Sequence, residues 1–218
     1  MTSHEASNVV AGIDVGGTKK GFHVVALRGK TIVAMLSRCR AQEAVAWCRE
    51  HRVSAVAIDA PCRWSLTGRA RPCERELAGL GLSCFSTPCQ SIGTVHPFYR
   101  WMVNGAELVR LLTPHYRIYD DPIALIEPLC FETFPQAIAC ALSGKRLSAK
   151  RKRVDRRRVL KESGLAIQCL TAIDEIDAAL CALTAQYVLD GRFRAYGDAV
   201  EGFILIPRHP HNRPRSDH

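Results

Sequence analysis

Along this chain, apolar residues gather in short runs closed by glycine, proline or a single acid. The first run, VVAGIDV at 9–15, ends on Asp14 and turns through Gly16 and Gly17. Runs of this length bounded by glycine read as buried strands. Residues 21–27 (GFHVVAL) and 31–37 (TIVAMLS) follow, and the short link at 28–30 suits a hairpin, so the first three strands read as an antiparallel meander. Residues 41–51 (AQEAVAWCREH) have helical composition and spacing. Residues 53–59 (VSAVAID) form a second apolar run, closed by Asp59 and stopped by Ala60-Pro61. A strand, helix and strand at this spacing form a crossover unit, which sets 53–59 parallel to 9–15.

The pattern loosens over 62–120, where Gly, Pro and Ser clusters separate helices expected near 71–80 and 98–112. This stretch reads as an insertion or lid within one domain spanning 1–206. Residues 129–134 (LCFETF) form the next strand, carrying Glu132 and closed by Pro135. Helices are expected at 135–142, 151–163 and 170–190, then a late edge strand at 200–206 (VEGFILI). The tail 207–218 (PRHPHNRPRSDH) reads as disordered. No internal repeat is present.

Two apolar strands thus end in an aspartate, and if they are parallel neighbours the two carboxylates coincide. Ligand sites of open α/β sheets sit at those strand ends. Either aspartate alone is more often a turn former or a helix cap. Burying an unpaired carboxylate costs several kcal/mol, so the pair calls for a cation or a partner. Glu132, between Phe131 and Phe134, adds a third acid. In TAIDEIDAALCALTAQYVL, Asp174 and Asp177 stand three residues apart, within roughly 60° of each other on a helix. They border the stripe of Ile173, Ile176, Leu180 and Tyr187, while Glu175 points elsewhere. Thr171-x-x-Asp174 also reads as a capping box, which would give these acids a purely local role. Strand-end carboxylates with an i,i+3 aspartate pair are what two divalent cations about 4 Å apart require. Hard oxygen ligands favour Mg²⁺ or Mn²⁺.

Charge sharpens this picture. The chain of 218 residues carries a net +9, and residues 145–161 (KRLSAKRKRVDRRRVLK) hold ten Lys/Arg and one Asp, an excess equal to that of the whole chain. A basic patch of this density suits a polyanion, although a solvated Arg-rich helix has the same composition. With 47% hydrophobic and 23% charged residues the composition is that of an ordinary globular chain. No apolar run approaches the roughly 18 residues of a membrane span. The polar start, MTSHEASN, lacks a signal-peptide core, and the expected location is the cytoplasm. Ten cysteines include no CxxC pair. Zinc ligation by Cys62, Cys73, Cys84 and Cys89 would need the wrong spacing at each step, so the thiols read as small core hydrophobes.

Taken together, the order β-β-β-α-β-α-β-α, Asp14 on the first strand, an acid closing the fourth and the DxxD helix resemble the RNase H-like superfamily. Within it, the chain is similar to the predicted-nuclease family of domain of unknown function 429. The motifs that carry the likeness are GIDVGG around Asp14, AIDAP around Asp59, RPCEREL at 71–77, FETFP around Glu132, IDEIDAALCALTA at 173–185 and EGFILIP at 201–207. The disposition of Asp14, Asp59, Asp174 and Asp177 also resembles that of the Holliday-junction resolvase RuvC. The resemblance implies an α/β fold with a five-stranded mixed sheet of order 3-2-1-4-5, flanked by helices, with an insertion after strand 4. It implies phosphodiester cleavage of DNA or RNA dependent on Mg²⁺ or Mn²⁺. Asp14, Asp59, Asp174 and Asp177 would be the metal ligands, and Glu132 would join the catalytic set. Arg71, Lys150, Arg151, Lys152, Arg153, Arg156 and Arg157 would hold the nucleic acid. Two other readings remain open. One is a nucleic-acid-binding module that has kept the fold without catalysis. The other is a relative of the actin-like sugar kinases, whose first phosphate loop Asp14-Val-Gly-Gly-Thr-Lys also resembles. Those kinases use two such domains, and no second Gly-rich phosphate motif occurs here.

Overall fold

The computed structural model describes residues 8–17, 19–121 and 125–208; the tail expected to be disordered lies outside these beyond Arg208, as does most of the polar N-terminal stretch. In chain order, β1 (Val9–Val15), β2 (Phe22–Arg28), β3 (Thr31–Cys39), α1 (Ala41–Glu50) and β4 (Ala55–Asp59) form the first half of the sheet and its crossover helix. The connection to the next long strand contains α2 (Pro72–Gly79), α3 (Gln90–Gly93), α4 (Arg100–Leu112) and the short β5 (Arg117–Ile118). Then come β6 (Leu129–Glu132), α5 (Pro135–Ser143), α6 (Lys152–Glu162), α7 (Ile173–Leu189), β7 (Phe193–Asp198) and β8 (Gly202–Pro207).

These strands form one mixed sheet of order β3-β2-β1-β4-β6-β8-β7, with β5 paired to β6. The expected order 3-2-1-4-5 is its first part, with β6 as the fifth strand, and the meander and the parallel β1–β4 pair are as anticipated. The sheet then continues. The strand expected at an edge, β8, lies inside, parallel to β6 and antiparallel to β7. The edge is β7, FRAYGD, whose partly exposed, polar alternation hides it from an apolar-run reading.

Alternation within the strands sorts the core into two layers. Val10, Ala55, Ala57, Leu129 and Phe131 face one layer with α5, α6 and α7. Ala11, Ile13, Val15, Val56, Ile58 and Cys130 face the other with α1 and α4. By this period of two, Asp14 and Asp59 share the α7 side.

Helix α7 is covered almost all round. Ile176 through Ala185 are buried without interruption, because the sheet lies on one side and α5 and α6 on another. This replaces the single apolar stripe expected from sequence. The sheet also approaches closely. A Cβ built on Gly12 would lie 2.1 Å from the carbonyl oxygen of Ala178 and 2.1 Å from the amide nitrogen of Ala182. Only glycine on β1, facing alanines on α7, allows this crossing, and the crossing brings the start of α7 to the end of β1.

All ten cysteines are free thiols; Cys39, Cys48, Cys73, Cys130, Cys140 and Cys181 are buried, in keeping with a packing role. Among the described residues, no helix is long and apolar enough to cross a membrane.

Candidate metal centre

The last in-register pair of the parallel β1–β4 ladder is Asp14 opposite Asp59. β1 gives way there to Gly16-Gly17, and β4 to Ala60-Pro61, whose proline lacks the N–H a ladder needs. Asp174 and Asp177 enter from the first turns of α7, where acids also favour the helix N-terminus. The capping box expected at Thr171–Asp174 is not the one formed. Glu175 reaches back instead, accepting from the backbone N–H of Thr171 at 2.7 Å and of Ala172 at 2.9 Å. Asp174 is thereby left for the cleft. The four aspartates line one cavity of about 490 Å³, together with Lys20, Lys152 and Arg156.

Charge in this cavity is out of balance. Burial, then the charges of Asp177 and Asp174, push the Asp14 carboxyl up to about 7, against weaker opposition from Lys20 and Arg156. Asp59 is raised well above the carboxylate range by burial, then by Asp14 and Asp177. Part of the Asp59 residue stays open to solvent, but its carboxyl is deeply enclosed, so the upward direction stands. Asp177 is raised by burial, with Arg156 opposing. Crowded carboxylates that repel one another form an electrostatic deficit that a cation relieves.

Two cationic side chains partly fill the deficit. Arg156 donates from Nη1 to Asp177 Oδ1 and from Nη2 to Gln136 Oε1 at 3.3 Å. Lys20 Nζ lies 3.4 Å from Asp174. His23, buried and directly opposite Asp14 across β1 and β2, places Nε2 3.9 Å from Asp174, and its Nδ1 has no hydrogen-bond partner. Among the described residues, no three His, Cys, Asp or Glu side chains are gathered tightly enough to hold a metal ion as they stand. The donor set nevertheless fits a hard divalent cation: all oxygen, strongly anionic and shielded from water. Closing a shell would require Asp177 and Asp174 to exchange their present cationic partners for the metal.

Glu132 belongs to a different network. It is in register with Ile58, not Asp59, so the strand alternation sets it out of step with the two aspartates. Its carboxylate accepts from Arg71 at 2.6 and 2.9 Å and from the Cys62 backbone N–H at 2.9 Å. Arg71 in turn donates to Glu74 at 2.9 Å, and Glu74 accepts from Thr87 Oγ1 at 2.5 Å. Arg71, expected on nucleic acid, is 1% exposed and ties α2 to the sheet. Glu132 and Arg71 thus hold one another, and both line the same cavity as the four aspartates.

The basic segment divides similarly. Arg156 is buried against Asp177 rather than lying on a surface. Arg153 donates to the Thr171 carbonyl and Arg157 to the Leu170 carbonyl, each at 2.6 Å. These two arginines buttress the turn that leads into α7. Lys150, Arg151 and Lys152 remain exposed, and Lys152 lines the cavity. Lys20 and His23 were not singled out by the sequence; the signal for Lys20 was its place in GGTKK, and that for His23 its register opposite Asp14.

Three N–H groups between Gly16 and Gly21 are bonded locally. The N–H groups of Gly16, Lys20 and Gly21 donate to carbonyls within the turn at 2.9–3.1 Å. They are thus already spent rather than free to cradle a phosphate.

The chain matches the family described as "Protein of unknown function (DUF429)" over residues 12–201. It belongs to the DUF429 family. The matched span contains all four cavity aspartates and the Arg71–Glu74–Glu132 network. No curated protein matches the chain. Among solved structures, Thermus thermophilus RuvC is similar at 20% identity and a TM-score of 0.42, over 84% of this chain and 96% of that one.

Proposed function

We propose that this chain hydrolyses phosphodiester bonds of nucleic acid with a bound Mg²⁺ or Mn²⁺. The observation that carries this reading is the in-register pair Asp14–Asp59, met at one cavity by Asp174 and Asp177, with the Asp14 carboxyl driven up to about 7 by burial and then by the charges of Asp177 and Asp174. Asp14, Asp59, Asp174 and Asp177 would hold the metal. Such a cation supplies an activated water and a counter-charge for the leaving oxygen. The chain's own residues do the rest. Arg156 and Lys20, once released from the helix aspartates, are the cations nearest the place a phosphate would occupy. Lys150, Arg151 and Lys152 hold the backbone beside the cavity without reading sequence. The sheet and α7 fix the aspartates on regular elements, so their spacing does not depend on a loop.

Calorimetric titration of Mn²⁺, alone and with an oligonucleotide present, tests the site. Saturable binding is expected in the wild type and not in the Asp14→Asn/Asp174→Asn double variant. Labelled DNA and RNA, single- and double-stranded, then test cleavage. An Asp14→Asn preparation, free of contaminating nuclease, that still cleaves would sink the assignment.

One observation favours a second reading. Asp177 and Asp174 are already paired with Arg156 and Lys20, which suits a module that binds nucleic acid without a metal. That reading expects salt-sensitive binding indifferent to Mg²⁺ and to Asp14.

A further inference from the structure

The connection between β4 and β6 leaves a group of aromatic rings unburied. Phe85 is 63% exposed and Phe98 is 53% exposed. They meet edge to face, with ring centres 5.7 Å apart at 71°. Phe85 also meets Trp101 at 6.1 Å and 61°, and Phe98 meets Tyr99 at 5.1 Å and 86°. An edge-to-face contact covers one face of one ring in each pair, and Phe85 and Phe98 still keep more than half of their surface in water. Large apolar rings held in a cluster yet left in water mark a binding surface.

The cluster is anchored to the carboxylate cavity. Trp101 lies in the first turn of α4, three and four residues before Asn104 and Gly105, and so on the same helix face. Asn104 donates to the Gly16 carbonyl at 2.9 Å, and Gly105 packs on Ala60. These contacts set Trp101 beside the ends of β1 and β4, where Asp14 and Asp59 stand. Phe85 and Trp101 line the same cavity as the four aspartates, and Phe98 continues the row of rings from Phe85. Lys20, Lys152 and Arg156 line that cavity too, so one cleft combines cations with ring faces. Phosphate-binding cations interleaved with open aromatic faces suit unpaired nucleotides, whose bases can leave their own stack. The stacked bases of a duplex offer no faces to such rings. The cavity, about 490 Å³, has room for one nucleotide unit.

We infer that Phe85, Phe98 and Trp101 form a stacking platform for unpaired nucleobases, and that the substrate of the carboxylate cleft is single-stranded nucleic acid. The inference rests on the nuclease reading for its cleft, but its test does not require cleavage. Binding is measured by fluorescence anisotropy on the full chain carrying Asp14→Asn, without Mg²⁺. Three probes of about 12 nucleotides, within the usual site sizes, are compared: an oligothymidylate, an abasic strand of the same length, and a blunt duplex. The oligothymidylate is expected to bind at least about five-fold more tightly than either other probe, and Phe85→Ala/Phe98→Ala to abolish that margin without changing affinity for the abasic strand. Phe85→Tyr/Phe98→Tyr keeps the ring faces and should keep the margin. Both pairs replace exposed rings, and circular dichroism verifies the fold. Equal binding of oligothymidylate and abasic strand would overturn the platform. So would a margin that survives the alanine double variant, or a sedimenting mass that falls in that variant, which would make the rings a contact between copies. If the wild type cleaves only duplexes, the platform fails while the nuclease reading stands. If it cleaves nothing yet the ring-dependent margin is found, the platform stands and the nuclease reading fails.

Discussion

Two groups of charged side chains lie within reach of one cavity, and they have opposite characters. Around Arg71, two carboxylates surround one guanidinium, and nearly every donor and acceptor has a partner: Glu132 takes Arg71 and the Cys62 N–H, and Glu74 takes Arg71 and Thr87. Around Asp14, four carboxylates face Arg156 and Lys20, and burial drives Asp14 and Asp59 toward the neutral form. Burial raises Glu132 as well, but Arg71 opposes it. The first network is satisfied and serves the fold. The second is under-compensated. A buried acid is therefore informative about chemistry only once its partners are counted.

Five variants separate the two regions. The largest effect is expected at Arg71→Ala, which leaves Glu132 and Glu74 buried without their counter-charge. Breaking such a pair costs about 3–5 kcal/mol, read as a lower urea midpoint. If the loss is under about 1 kcal/mol, the satisfied network is no structural keystone.

Next comes Gly12→Ala, which forces a methyl into the backbone of α7 at 2.1 Å. Overpacking of this kind costs about 1–3 kcal/mol, and the shift of α7 should weaken Mn²⁺ binding as well. An unaffected metal affinity would mean that the crossing does not position Asp174 and Asp177.

Asp14→Asn should do the reverse and stabilise the metal-free protein. A carboxyl raised from 3.8 to about 7 keeps its proton in the folded chain after the unfolded chain has lost it. The Asp14 contribution to wild-type stability is thus most favourable below about pH 4, falls as pH rises toward 7, and then levels. At pH 8 the substitution should recover on the order of 1–4 kcal/mol, with the upper value set by the whole shift. Mg²⁺ should raise the wild-type melting temperature at that pH and leave Asp14→Asn unmoved. A lower melting temperature in Asp14→Asn would place Asp14 among the satisfied groups.

The smallest change is expected for Lys150→Ala/Arg151→Ala. Stability should stay within about 0.5 kcal/mol, while the slope of log affinity for single-stranded DNA against log salt flattens by roughly 1.4. Arg153→Ala is the contrasting control: it frees the Thr171 carbonyl and should lower stability by about 1 kcal/mol.

Much of this protein was legible from residues alone, for local reasons. Apolar runs ending in Asp14 and Asp59 identified β1 and β4, and the length of the intervening helix required them to be parallel. The period of two then put both aspartates on one face, and helical spacing put Asp174 and Asp177 together. These conclusions use neighbours a few residues apart, where sequence periodicity carries the geometry. What only the tertiary structure decided involves partners far apart in the chain. Arg71 reads as surface charge until Glu132, 61 residues away, is found against it; Arg156 reads as part of a basic patch until α6 packs on α7 and delivers it to Asp177. The strand β7 escaped notice because its polar alternation acquires meaning only beside β8. Exposed rings at Phe85 and Phe98 look like core residues in sequence, since an apolar side chain does not announce whether anything will cover it. Hydrophobic pattern determined the layers of this protein, and long-range charge pairing determined which of its acids remain available for chemistry.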